Sequence, residues 1–169
     1  MRSRKPYTNA TFTRRVDHEA GRHRPPRAAS EPAVCGTCGA VYRQRRWYPA
    51  GSETGVEAEP PTVVTCPACA RVAQHLPSGF LYLDGAFVAA HRDEIEHLLR
   101  AEADRAAEDN PTARIMEWTR DPHHAAVVTT TTEHLAQRLG HALAKAFHGD
   151  IRYDFSHENK LARVYWSRD

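Results

Sequence analysis

The chain has 169 residues, 41% of them hydrophobic, which suffices for one ordinary domain or for two small units and a tail. No stretch approaches the ~20 consecutive apolar residues that span a bilayer, and the net charge is only +2. That small value hides an asymmetry: residues 1–30 carry eight Lys/Arg against Asp17 and Glu19, hence +6, which leaves −4 on the remainder. A uniformly basic fold is thereby excluded, and a polyanion partner is expected for the tail.

Residues 1–30 hold almost no aliphatic side chains, Val16 apart, so burial cannot offset their ordering entropy and they are expected to be disordered when free. Arg14 and Arg15 are candidate RNA-binding residues within this segment, and Arg24-Pro-Pro-Arg27 reads as a stiff spacer. Nearly all the positive charge is arginine, whose planar fork suits phosphate, although an Arg-rich genome gives the same bias. The basic start lacks an apolar core segment and is not read as a secretory signal, while an Arg-rich transit peptide remains an alternative. A cytoplasmic address, where thiols stay reduced, is the simplest expectation.

Residues 31–84 are read as a zinc ribbon with a treble of short strands. Two Cys-x-x-Cys pairs, Cys35/Cys38 and Cys66/Cys69, each place two sulfurs on one small knuckle, and two knuckles complete the tetrahedral thiolate shell that structural zinc prefers. Gly39 follows the first pair where a knuckle backbone often needs a conformation open to glycine, and Pro67 fixes the second turn. Ala40–Arg43 and 62–65 read as short strands flanking an exposed Pro/Gly/Glu loop from Tyr48 to Pro61, which absorbs a 27-residue gap between the pairs. A redox dithiol is the competing reading of each pair; two matched pairs without a strand–helix context favour metal. Four thiolates leave no position for water or substrate, so the zinc is expected to be scaffold.

Just after Cys38, Arg43, Arg45 and Arg46 interleave with Trp47 and Tyr48. Arginine pairs with phosphate and an aromatic ring stacks on an unpaired base, which makes Arg43, Arg45, Arg46 and Trp47 candidate RNA contacts. Packing of Trp47 against the ribbon is the alternative.

From Gly85 the apolar positions fall at helical spacing (Phe87, Ala90 or His91, Ile95, Leu98, Leu99, Ala103), predicting a linking helix over 85–110 that Asn110-Pro111 stops. Its charged end, Glu102 to Asp109, is expected to project into solvent. Residues 111–169 are read as an α+β unit of order β-β-α-β-β in two layers. Strands are predicted at Ile115–Arg120, Ala125–Thr131, Ile151–Ser156 and Leu161–Ser167, with Asp121-Pro-His-His124 as a turn. Thr130-Thr-Thr-Glu133 has capping-box spacing and opens a helix striped by Leu135, Leu139, Ala142, Leu143, Ala146 and Phe147, with Gly149 at its end. Strand alternation puts Ala162, Val164 and Trp166 inward and Arg163 and Tyr165 outward, beside Arg152, so these last three form a candidate RNA-binding face; a one-residue slip reverses it.

The histidines are scattered. His134, His141 and His148 recur every seven residues on one helix face, where solvated side chains are favoured over a second metal site. No nucleophile–base pair, glycine-rich phosphate loop or paired-carboxylate signature is present, so no enzymatic activity is expected.

Cys35-Gly-Thr-Cys38-Gly39, Cys66-Pro-Ala-Cys69, Pro77-Ser-Gly-Phe80, His91-Arg-Asp-Glu94, Val127-Val-Thr-Thr-Thr131, the helix from Glu133 to His148 and the ending Arg163-Val-Tyr-Trp166 together resemble the archaeal and eukaryotic large-subunit nuclear export adaptor family of the Nmd-three type. The nearer likeness is to short bacterial proteins with the same frame. The resemblance spans roughly residues 33 to 168 and leaves the basic tail outside. It implies a ribosome- or RNA-associated role, in translation, ribosome assembly or stress, and carries zinc-ligand roles to the four cysteines. The adaptors have further knuckles, domains and export signals that this chain lacks, and no RNA contact carries over. The expectation is a non-enzymatic, zinc-stabilised, RNA- or ribosome-associated protein; the alternative is a zinc-ribbon protein-interaction or regulatory module.

Overall fold

A computed structural model describes residues 31–52, 60–156 and 161–169. Arg14, Arg15 and the expected disorder of residues 1–30 therefore lie outside the described residues, as does much of the Tyr48–Pro61 loop. Among the described residues the fold is α+β, with two small sheets and four helices.

The first sheet consists of β1 (Ala33–Cys35), β2 (Val41–Arg43), β3 (Arg46–Tyr48) and β4 (Thr62–Val64), in the order β3-β2-β1-β4. Its strands are three residues long, too short to bury a core of their own, and the cysteines complete a small cluster with Ala33, Ala40, Tyr42, Trp47 and Ala68. The β2–β3 hairpin closes through Gln44 and Arg45, both at positive φ (49° and 61°), which is the two-residue turn whose twist suits paired strands. The Glu31 carboxylate accepts both turn N–H groups, at 2.9 Å from Gln44 and 2.8 Å from Arg45, and holds a conformation neither residue favours. Helix α1 (Pro67–Gln74) follows β4 directly. The ribbon-like unit thus matches the expected fold class, with one strand more than a treble.

The second sheet holds β5 (Gly79–Asp84), β6 (Ile115–Thr119), β7 (Ala126–Thr130), β8 (Asp150–Ser156) and β9 (Leu161–Ser167), in the order β6-β7-β5-β9-β8. The four predicted C-terminal strands form at nearly their predicted bounds. They gain a central partner that the sequence reading left at the end of the 31–84 segment: β5 pairs antiparallel with β7 and parallel with β9. Its residues, Phe-Leu-Tyr-Leu, are apolar or aromatic throughout, so the period-2 signal of a half-buried strand is hidden.

The predicted linking helix is two helices, α2 (Ala86–Ala90) and α3 (Arg92–Asp109), broken at His91, where φ is −121° and ψ 29°. The charged end of α3 exposes Asp104, Arg105, Glu108 and Asp109 but is packed against the fold along its other side. Ala103 and Ala106 prolong the stripe of Ile95 and Leu99 into the core, and Glu102 bridges Arg105 and Arg138 of α4 (Glu133–Phe147). Small alanines between charges let α3 lie close against α4 while the charged groups pair at the rim.

Helix α4 is capped by Thr132, not Thr130: its hydroxyl accepts from the Leu135 N–H at 3.3 Å. The Thr130 hydroxyl instead donates to the Thr132 carbonyl at 2.8 Å, so no capping box forms. Leu135, Leu139 and Leu143 bury the α4 stripe against β5, β7 and β9. At Gly140 the helix comes so near the sheet that a Cβ would sit 2.5 Å from Val164 Cγ1. Trp166, wholly buried, donates its indole N–H to the His148 carbonyl at 2.7 Å and locks the helix end to β9.

Candidate functional site

The cysteine centre is assembled from three local devices. Cys35 ends β1, and the turn after it returns through Gly39 at φ 74°, the left-handed region expected at that position. Cys66 is the N-cap of α1, and its sulfur accepts from the Cys69 N–H at 3.4 Å. The parallel pairing of β1 with β4 then brings the two knuckles together, and the Cys66 N–H points at Cys35 Sγ at 3.3 Å. All four sulfurs lie within 4.8 Å of one another, with Cys38 and Cys66 3.7 Å apart. Bonds of about 2.3 Å from one ion to four tetrahedral thiolates separate the sulfurs by roughly 3.8 Å, so the residues fit a metal ion. A tetrahedral all-sulfur shell suits zinc or iron, and all four positions are filled by protein. This is the one such convergence of His, Cys, Asp or Glu among the described residues, and it includes no histidine.

The second pair does sit at a strand-to-helix junction, β4 to α1, a setting also used by redox dithiols. The observation favouring metal is the convergence of the other pair, not the absence of that context.

The electrostatics are those of crowded thiols. Burial raises the Cys35 thiol, but backbone hydrogen bonds from Cys66, Cys38 and Thr37 outweigh it and bring the group down to about 6. Burial pushes Cys66 and Cys69 up, since their thiolates would stand among other sulfurs in a poorly solvated site. Arg114, just before β6, donates from its guanidinium to Cys69 Sγ at 3.4 Å and to the Pro111 carbonyl at 2.8 Å. Burial works against its charge, yet the thiols of Cys38 and Cys69 more than offset this and hold it protonated. A cation from beyond the ribbon thus faces the sulfurs. No sequence signal marked it, because its partner lies 45 positions away.

Around the ribbon, the arginines take separate positions. The guanidiniums of Arg43 and Arg46 lie 4.5 and 5.8 Å from the centre of the Tyr48 ring. Arg46 also donates to the Asp109 carbonyl at 2.9 Å, and Arg45 is exposed at the hairpin tip. Trp47 is not a stacking surface. It is buried at 6% exposure with its ring 5.1 Å from Tyr42, because alternation along β3 turns it into the cysteine cluster and leaves Tyr48 outside.

The predicted register of the last two strands holds. Arg152 pairs with Tyr165 and Asp154 with Arg163, while Ala162, Val164 and Trp166 are fully buried on the helix side. Arg152 stacks 4.1 Å from the centre of the Tyr165 ring. Strand β5 adds two residues that the sequence did not place on this face: Phe80 pairs with Arg163, and Tyr82 with Tyr165. His124, in the predicted turn, hydrogen bonds to Asp84 at 2.7 Å and lies against the Tyr82 ring. No protein-family model, no curated protein and no solved structure matches the chain. Among the described residues no helix is long and apolar enough to cross a membrane.

Proposed function

We propose that this is a non-enzymatic, zinc-stabilised RNA- or ribosome-associated protein, acting in the cytoplasm in translation, ribosome assembly or stress, with the large ribosomal subunit as the expected target. The observation that carries the reading is the stacking of arginines on tyrosines at two separate outer surfaces, Arg43 and Arg46 on Tyr48, and Arg152 on Tyr165. A guanidinium held over an aromatic ring presents donors to phosphate beside a π face for a base. The +6 charge of residues 1–30 supplies attraction at longer range. Zinc is proposed for the four-sulfur site because it binds four thiolates without demanding redox chemistry, and its part is to hold the ribbon arginines in place.

Sedimentation of a lysate tests this. Co-migration with ribosomal particles or RNA at low salt, lost at high salt, is the expected result; absence of co-migration at low salt contradicts it. A protein-interaction module is the second reading, favoured by Val63, Val72 and Leu76, which the ribbon leaves 74%, 44% and 54% exposed. Retention of a protein partner after removal of residues 1–30 and digestion of RNA supports that reading instead.

A further inference from the structure

The sheet face opposite α4 is aromatic where a solvent-facing sheet is ordinarily polar. Read across the five strands, one row runs Glu117, Thr129, Phe80, Arg163, Asp154, and the next runs Thr119, Val127, Tyr82, Tyr165, Arg152. The two central strands thus contribute three rings, all half-buried. Tyr82 and Tyr165 stack at 4.8 Å with 13° between planes, and Phe80 lies 6.1 Å from Tyr82 at 10°. The outer side of Tyr165 is covered by the planar Arg152 guanidinium. At the other end His124 leans on Tyr82 while bonded to Asp84.

Resting on the RNA reading, we propose that this face is a binding site for single-stranded RNA, in which unpaired bases join the Phe80–Tyr82–Tyr165 stack. Three features select that occupant. The rings are near-parallel and only half-buried, which suits flat π systems better than aliphatic side chains. Arg152 occupies the place of a stacked base at the end of the row and sits at an exposed edge strand, free to swing onto a phosphate as a base takes its position. Arg163, paired with Phe80 in the first row, provides a second guanidinium within the face. Of the acids near the face, Glu117 and Asp154 end the first row, Asp121 of the β6–β7 turn acts on Tyr82, Asp84 is held by His124, and Glu117 meets His75 of the ribbon at 3.4 Å. A duplex is disfavoured because its bases are already stacked and present only edges.

The test is fluorescence anisotropy of the metal-loaded full chain with a labelled oligouridine and with an RNA duplex of equal length. Tighter binding of the single strand is expected, weakened about tenfold or more in Tyr82→Leu/Tyr165→Leu and retained within about twofold in Tyr82→Phe/Tyr165→Phe. Arg152→Gln probes the same stack without touching the core and is expected to weaken binding about fivefold. Equal affinity for strand and duplex, or unchanged affinity in the leucine pair or in Arg152→Gln, overturns this inference and leaves the RNA reading intact. Absence of binding to either probe at low salt overturns both.

Discussion

Arg114→Gln should loosen the metal centre without disturbing the fold that surrounds it. The half-buried guanidinium donates to Cys69 Sγ at 3.4 Å and to the Pro111 carbonyl at 2.8 Å, while the backbone N–H of Arg114 donates to the Thr131 hydroxyl at 2.8 Å and fixes the start of the side chain. Four thiolates around a divalent ion carry a net charge of about −2, and Arg114 is a cation hydrogen-bonded to one of them, Cys69. A charge-assisted hydrogen bond of this kind contributes about 1.5–3 kcal/mol, and loss of an outer-shell partner typically lowers metal affinity by about 10–100-fold. Glutamine keeps the approximate shape and a donor while removing the charge. Competition against a chromophoric chelator should therefore give zinc affinity reduced about tenfold or more for Arg114→Gln, with partial recovery for Arg114→Lys, which restores charge without the fork. Affinity for Arg114→Gln within about twofold of the parent, with thermal stability unchanged, refutes the reasoning.

Cys38→Ser should abolish stoichiometric zinc and unfold the ribbon, because metal binding and folding are coupled there; metal analysis with far-UV circular dichroism checks it. Apparent zinc affinity should rise with pH through neutrality. Metal must displace the protons that the raised Cys66 and Cys69 thiols retain, so acidification favours release; chelator competition between about pH 6 and 8 measures the slope. Gly140→Ala places a Cβ 2.5 Å from Val164 Cγ1 and should destabilise the second sheet by about 1–3 kcal/mol, read as a lower urea midpoint with little change in zinc content. Leu139→Ala, at a wholly buried position of the α4 stripe, should remove about 2–5 kcal/mol in the same assay.

The parts of the molecule that were legible in the sequence are those whose signals are short-range. Cys-x-x-Cys spacing found the four cysteines that converge, helical spacing found α4, and alternation with the inward Ala162, Val164 and Trp166 set the correct face for Arg152, Arg163 and Tyr165. The features it missed depend on tertiary pairing. Strand β5 is apolar on both faces, so nothing local distinguishes its buried Leu81 and Leu83 from its outward Phe80 and Tyr82 until β7 and β9 flank it. Trp47 reads equally well as a stacking ring or a core ring, and only the cysteine cluster behind β3 decides. The alanines of α3 look like filler between charges, yet they are the contact surface toward α4. Arg114 gains its role from a neighbour that the fold delivers.

Ultraviolet cross-linking of the metal-loaded full chain to RNA, with adducts mapped by mass spectrometry, tests the RNA assignment most directly. Adducts on the peptides containing Tyr82 and Tyr165, suppressed by high salt, are the predicted result. Absence of any RNA adduct under low-salt conditions contradicts it.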